Sequence, residues 1–226
     1  MKWNTKIGIL LILLVMPIFF YFTVLLFGFN SNLPSLPHYF PVGDTSYVIE
    51  GKKVTDTIYH QVPYRSFINQ HNEEIGKTQL SGKIKIVDYI FTTCGKQCPK
   101  MTENLKDVYE TFRESEDVII LSYSVNPSND TPKILKAYAD SYTIDKGIWH
   151  FLTGEKEAIY THARTGYFLS ALEDEQFSGN FLHSDKVLLV DKENFVRGIY
   201  TCTDIDEIKR LITEIGVLKT SYGDLE

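Results

Sequence analysis

The sequence predicts an α/β fold, a central mixed sheet flanked by helices, behind one amino-terminal apolar helix. Three observations lead there. Residues 7–29 form a single run without charge, IGILLILLVMPIFFYFTVLLFGF. Beyond it, short β-branched runs alternate with stretches whose apolar residues recur at helical spacing. The composition, 43% hydrophobic and 23% charged, is that of an ordinary globular chain, and 226 residues leave room for one domain plus a short appendage. The net charge of -6 and the absence of any Lys/Arg run argue against a nucleic-acid partner. There is no glycine-rich phosphate cradle, low-complexity tract or internal repeat.

As a helix, the run from Ile7 to Phe29 would reach roughly 34 Å, enough to cross a hydrocarbon core of about 30 Å. Pro17 inside it is tolerable in a membrane helix. Lys2 and Lys6 precede the run and no Lys or Arg follows until Lys52, so the positive-inside rule keeps the amino terminus cytoplasmic and exports the rest. A cleaved signal peptide would have a shorter apolar region and a small-residue cleavage site, and neither is present. The expected organisation is a cytoplasmic tip and transmembrane anchor over 1–29, a linker or stalk over 30–60, and a domain over 61–226. Pro34, Pro37 and Pro41, among Ser and Asn residues, mark the stalk.

Within the domain, Pro63–Gln70 followed by Ile75-Gly76 reads as a short strand, a polar turn and a second edge element. Ile84–Phe91 is rich in β-branched and aromatic residues and reads as a strand. A helix follows from about Cys98-Pro99, since proline suits a first helical turn, with Met101, Leu105, Val108, Tyr109 and Phe112 as its apolar stripe. Val118–Val125 is nearly all apolar, the mark of a strand buried on both faces. Asp130-Thr131-Pro132 caps and opens the next helix, with Ile134, Leu135, Ala137 and Tyr138 turned inward. Another helix is expected over Glu155–Leu169. Val187–Asp191 and Phe195–Tyr200 flank Lys192-Glu193-Asn194 as a hairpin. An amphipathic helix from Asp204 to Leu218 closes the chain, with Ile205, Ile208, Leu211, Ile212 and Ile215 on one face. The resulting order, β-α-β-α-(α)-β-β-α, is that of a thioredoxin-like sandwich.

The three cysteines are Cys94, Cys98 and Cys202. Cys94-Gly95-Lys96-Gln97-Cys98 stands where an expected strand passes into a helix. An i, i+4 spacing there puts both sulfurs on one face, able to converge on one atom or on each other. Free N–H groups at a helix start favour thiolate over thiol. A stabilising disulfide is the competing reading, but so short a loop gains little from closure. His183, in Gly179-Asn180-Phe181-Leu182-His183-Ser184-Asp185, precedes the strand starting at Lys186, and in this fold that approach lies near the dithiol. By pattern alone, such a histidine is more often a surface or satisfied core residue. The same holds for His38, His60, His71, His150 and His162.

Phe91-Thr92-Thr93-Cys94, Cys98-Pro99 and Met101-Thr102 resemble the signature of the Sco/SenC family of copper-handling proteins. Ser124-Val125-Asn126-Pro127 with Asp130-Thr131-Pro132, then His183-Ser184 ahead of Leu189-Val190-Asp191, fall in that family's order and spacing. The likeness covers about Pro63 to Leu218. It implies a site in which Cys94, Cys98 and His183 bind copper, and thiolates are soft ligands suited to Cu(I), while imidazole suits either oxidation state. It also implies assistance in assembling the binuclear copper centre of cytochrome c oxidase, with a copper-receiving oxidase subunit or another copper chaperone as partner. The alternative role is that of a thiol–disulfide oxidoreductase, with Cys94 and Cys98 as a redox-active dithiol acting on an exported target. Two departures stand out. The insert is Gly95-Lys96-Gln97, where relatives often carry proline after the first cysteine and an aspartate, and Asn126 replaces the aspartate usual before proline. Cys202 has no counterpart in the family pattern and reads, like Met101, as a packing residue.

Overall fold

A computed structural model describes residues 13–23, 35–144, 147–169 and 184–223. The chain separates into two compact units, Met1–Ser35 and Leu36–Glu226. In the first, residues 13–23 form a helix (α1) whose apolar side chains are exposed, Leu13, Phe19 and Phe20 by more than 60%. This is the described part of the uncharged run. The rest of that run lies outside the described residues, and among the described residues no helix is long and apolar enough to cross a membrane.

Within the expected stalk, β1 (Pro41–Ile49) and β2 (Lys52–Tyr59) pair antiparallel as a two-stranded sheet of their own. The two-residue turn between them, Glu50-Gly51, has φ of 49° and 77°, the doubly positive geometry that matches the twist of a tight hairpin. Both strands are largely exposed, so no burial pattern announces them in the sequence. The base of the hairpin is fastened to the domain. The His60 N–H donates to the Phe40 carbonyl, and the Tyr39 and Val62 N–H groups donate to the carbonyls of Val196 and Asn194.

The remaining strands are β3 (Phe67–Asn69), β4 (Glu74–Ile75), β5 (Ile84–Ile90), β6 (Val118–Ser124), β7 (Trp149–Thr153), β8 (Lys186–Val190) and β9 (Val196–Thr201). They form one sheet in the order β4-β3-β7-β6-β5-β8-β9. β5, β6 and β7 run parallel, and β3 and β8 join them antiparallel. β7 is a strand the sequence reading did not identify. Trp149-His150-Phe151-Leu152-Thr153 is short and lacks strict alternation, and it is defined by pairing with β6 rather than by its own pattern.

Helices α3 (Gln97–Phe112), α4 (Pro132–Ser141) and α6 (Ile205–Ser221) cover one face. There Met101, Leu105, Leu135, Ile208 and Leu211 pack on Ile84, Ile86, Ile90 and Ile120. The other face is covered by α2 (Lys77–Leu80), α5 (Lys156–Thr161) and a π-helical turn, His162–Gly166, over Val87, Tyr89, Leu121 and Tyr123. The helix expected over Glu155–Leu169 is thus a short α-helix capped by the Glu155 side chain and continued by the π turn. Three positions expected to point inward do not: Ile134 is 38% and Ile205 41% exposed, and Ala137 is exposed too. Ile134 and Ile205 stand in the first turn of their helices, while in α4 Leu135 and Ala139 are the residues buried against the sheet.

The two ends of this sheet differ. At the amino-terminal end of β5 lies the turn between β8 and β9, held by the buried carboxylate of Asp191. Its Oδ1 accepts the N–H groups of Glu193 and Phe195, and its Oδ2 pairs with Arg197 at 2.8 Å. The same guanidinium donates to the carbonyls of Leu36 and Pro37, fastening the incoming chain. Breaking a buried pair from one side leaves an uncompensated charge. Arg197→Met is therefore expected to lower the unfolding free energy by about 3–5 kcal/mol in urea denaturation. A loss under about 1 kcal/mol would show that water replaces the guanidinium.

Candidate functional site

The carboxyl ends of β5 and β6 lie side by side, and the loops that leave them form the other end of the sheet. β8 begins and β9 finishes there, in the register Lys186↔Thr201. Cys94 lies in the loop after β5, and Cys98 in the first turn of α3. The residue before α3, Lys96, makes no side-chain cap. The cap is a sulfur instead: the Cys98 N–H donates to Cys94 Sγ at 3.3 Å. Burial works against the Cys94 thiolate, yet the N–H of Cys98, those of Lys96 and Gln97, and the Cys98 thiol outweigh it and hold the thiol below its ordinary value.

Cys98 is the opposite case. It is 5% exposed, and burial pushes its thiol well up. Cys202, fully buried at the end of β9, is pushed up for the same reason; its Sγ donates weakly to the Met101 carbonyl at 3.5 Å. All three cysteines are free thiols. The pair is thus one half-exposed, activated sulfur beside one buried, protonated sulfur. Cys202 remains part of the packing, as expected.

The loop carrying Cys94 is held by Asp130, which the sequence suggested only as part of a helix start. The N-cap of α4 is in fact Thr131, whose Oγ1 accepts the Ile134 N–H. The carboxylate of Asp130, wholly buried, accepts from the Thr92 N–H (3.1 Å), Thr92 Oγ1 (2.5 Å), Ser124 Oγ (2.5 Å) and Asn129 Nδ2 (2.8 Å). Asn126 joins through its backbone: its N–H donates to Ser124 Oγ and its carbonyl accepts from Asn129 and Asp130.

A second buried carboxyl, Asp88, was not singled out in the sequence, although a charge inside the apolar strand Ile84–Ile90 was its signal. Alternation along β5 puts it on the face of Ile86 and Ile90, under α3. Ser122 Oγ donates to its Oδ1 at 2.5 Å and itself accepts from Trp149 Nε1 at 2.9 Å. Oδ2 has no partner. Burial pushes this carboxyl up to about 7, only partly offset by Ser122, and a charge there raises both Cys98 and Cys202.

The structure therefore brings Cys94 and Cys98 together. His183 lies outside the described residues. Its neighbour Ser184 is buried, and the Asp185 carbonyl accepts the Cys202 N–H at 2.7 Å, so the chain enters β8 at the dithiol end of the sheet. Among the described residues no group of three or more His, Cys, Asp or Glu could hold a metal ion. The dithiol is a two-sulfur site there, chemically suited to exchange with another thiol, a disulfide or a soft metal ion.

Fold and site together define a thioredoxin-like domain with an asymmetric dithiol at the carboxyl end of its sheet. Comparison with known proteins narrows this. The SCO1/SenC family model matches residues 55–216, and the chain belongs to that family. It is 28% identical over 176 residues to the SCO1 protein homolog of Bacillus subtilis, covering 77% of this chain and 84% of the relative. It is 26% identical over 164 residues to a candidate copper-binding protein of Stutzerimonas stutzeri, covering 68% of this chain and 76% of that one. The structure of BsSco superposes with a TM-score of 0.61 at 29% identity, over 71% of this chain and 94% of the other. BsSco is described as a member of the Sco family of cytochrome c oxidase assembly proteins with a disulfide switch.

Two outcomes follow from the geometry. At neutral pH iodoacetamide should modify Cys94 at least about tenfold faster than Cys98 or Cys202, read by peptide mass mapping. Equal labelling would mean that α3 does not shield its first turn. The second outcome concerns Asp88. The fold favours its neutral form, so this group's contribution is complete below its ordinary value of 3.8 and is lost as pH rises towards about 7. Asp88→Asn should remove that loss. Relative to wild type, the variant gains up to about 4 kcal/mol between pH 4 and pH 7, in denaturant titrations. Parallel pH profiles for the two proteins would show that folding leaves the titration of Asp88 unchanged.

Proposed function

We propose that this chain is a membrane-anchored copper metallation factor that holds copper as cargo between Cys94, Cys98 and His183. It passes the ion to the binuclear copper centre of a haem–copper oxidase, directly or through another copper chaperone. The observation that carries this reading is the sulfur pair at the start of α3, one activated and one buried, at the sheet end from which β8 departs three residues after His183. Two thiolates and an imidazole supply the soft, low-coordination set that Cu(I) accepts. The family relation and the relatives' own descriptions support the destination. In this reading residues 1–29 are the cytoplasmic tip and the anchor, residues 30–60 lead out from it, and residues 61–226 are the exported domain.

A second reading rests on the same asymmetry and on the disulfide switch described for BsSco. The Cys94 thiolate attacks a target disulfide, forming a mixed disulfide and releasing one target thiolate. Cys98 then gives up its proton and attacks Cys94 Sγ, releasing the second target thiol. The domain ends oxidised and the target reduced. The two roles are compatible, since copper binding requires the reduced dithiol.

Anaerobic Cu(I) titration against a competing chelator tests the proposal. Wild type is expected to bind one equivalent tightly, His183→Ala to bind at least about tenfold more weakly, and Cys98→Ser to lose nearly all affinity. Tight binding retained by Cys98→Ser would overturn the copper assignment. Weak and equal binding by wild type and His183→Ala would leave thiol exchange as the function.

A further inference from the structure

Most of the described carboxylates around the dithiol end are engaged by the protein's own groups. Asp130 is buried among four donors. Asp185 pairs with Lys186 at 3.4 Å, Asp206 with Lys209 at 2.9 Å and Glu207 with Arg210 at 2.7 Å. Asp204 caps α6 by accepting the Asp206 N–H. Three lysines of this end stand apart from those pairs. Lys96 in the insert, Lys100 one turn along α3 and Lys133 in the first turn of α4 are all exposed. Among the described residues, none of these three makes an ion pair or side-chain hydrogen bond.

Elsewhere lysines are used locally. Lys83 and Lys85 donate to carbonyls, Lys136 pairs with Asp140, and Lys192 and Lys219 share Asp117. The thiol end thus carries three exposed lysines that no carboxylate among the described residues neutralises, in a chain of net charge -6. Glu103, in the second turn of α3, is the one exposed carboxylate near it without a described partner. Glu173, Asp174 and Glu175 stand outside the described residues.

We infer that Lys96, Lys100 and Lys133 form a docking lip for a protein partner whose own thiol or disulfide lies within an acidic surface. This rests on the exchange role of the dithiol proposed above and names the chemistry of what meets it. A protein is the fitting partner because cargo or electrons leave through sulfur exchange, which needs ligand-bearing side chains brought against Cys94. Like charges pressed together at such a contact repel, and complementary ones raise the encounter rate. The same lip therefore rejects thiol proteins with basic surroundings.

The test uses the reduced full-length chain in neutral detergent. The probes are three synthetic disulfide peptides of one Cys-x-x-x-Cys core, flanked by Asp/Glu, by Asn/Gln or by Lys. At low salt the acidic peptide should be reduced about tenfold faster than the neutral one and the basic one slowest, with the spread closing as salt is added. The triple variant Lys96→Gln, Lys100→Gln, Lys133→Gln should lose that order while still reacting. Anisotropy binding of the same peptides to Cys94→Ser reads docking without chemistry. Preferential binding of the acidic peptide without any exchange would keep the lip and refute the exchange role. Exchange at rates indifferent to peptide charge would overturn the lip and leave the dithiol's function intact, and the acidic residues outside the described segments are present throughout.

Discussion

The reactive end of this domain depends on the carboxylate of Asp130. A carboxylate offers about four acceptor positions, and here the Thr92 N–H and hydroxyl, the Ser124 hydroxyl and the Asn129 amide fill them. These donors come from the Cys94 loop, the end of β6 and the turn before α4. One buried group therefore fixes the distance between the loop that carries the activated sulfur and the neighbouring strand. Its hydrogen bonds also satisfy a buried polar group, which would be costly to leave without partners. With the loop held, α3 can start where Cys94 Sγ meets its first free N–H, and the asymmetry between the two thiols follows.

Asp88 shows the contrary solution in the same layer. With Ser122 as its side-chain donor and Oδ2 without a partner among the described residues, its carboxyl is pushed by burial up to about 7. Both aspartates are wholly buried, and they differ in how many donors reach them. A site built on Asp88 in the manner of Asp130 would place a fixed negative charge beneath Cys98 and hold its proton still more firmly.

Much of this was legible in the residues, and the exceptions have physical reasons. Ile84–Ile90 and Val118–Ser124 declared themselves because strands buried on both faces must be apolar throughout. Helices α3 and α6 did so by their stripes, and α4 by Thr131-Pro132. The β1–β2 hairpin was not legible, because strands exposed on both sides carry no periodic signal and prolines nearby suggest a linker. β7 was missed because its identity comes from pairing with β6. At the site, Cys94 and Cys98 followed from their spacing, whereas the roles of Asp130 and Asp88 depend on contacts across loops and layers that no local pattern encodes.

The clamp of Arg197 on Leu36 and Pro37 fixes where the chain enters the domain, and that entry is at the pole of the sheet opposite Cys94. A seven-residue strand such as β5 separates the two poles by roughly 23 Å. The contacts that fix the chain's entry, through Asp191 and the guanidinium, therefore share no residue with those that fix the Cys94 loop, through Asp130.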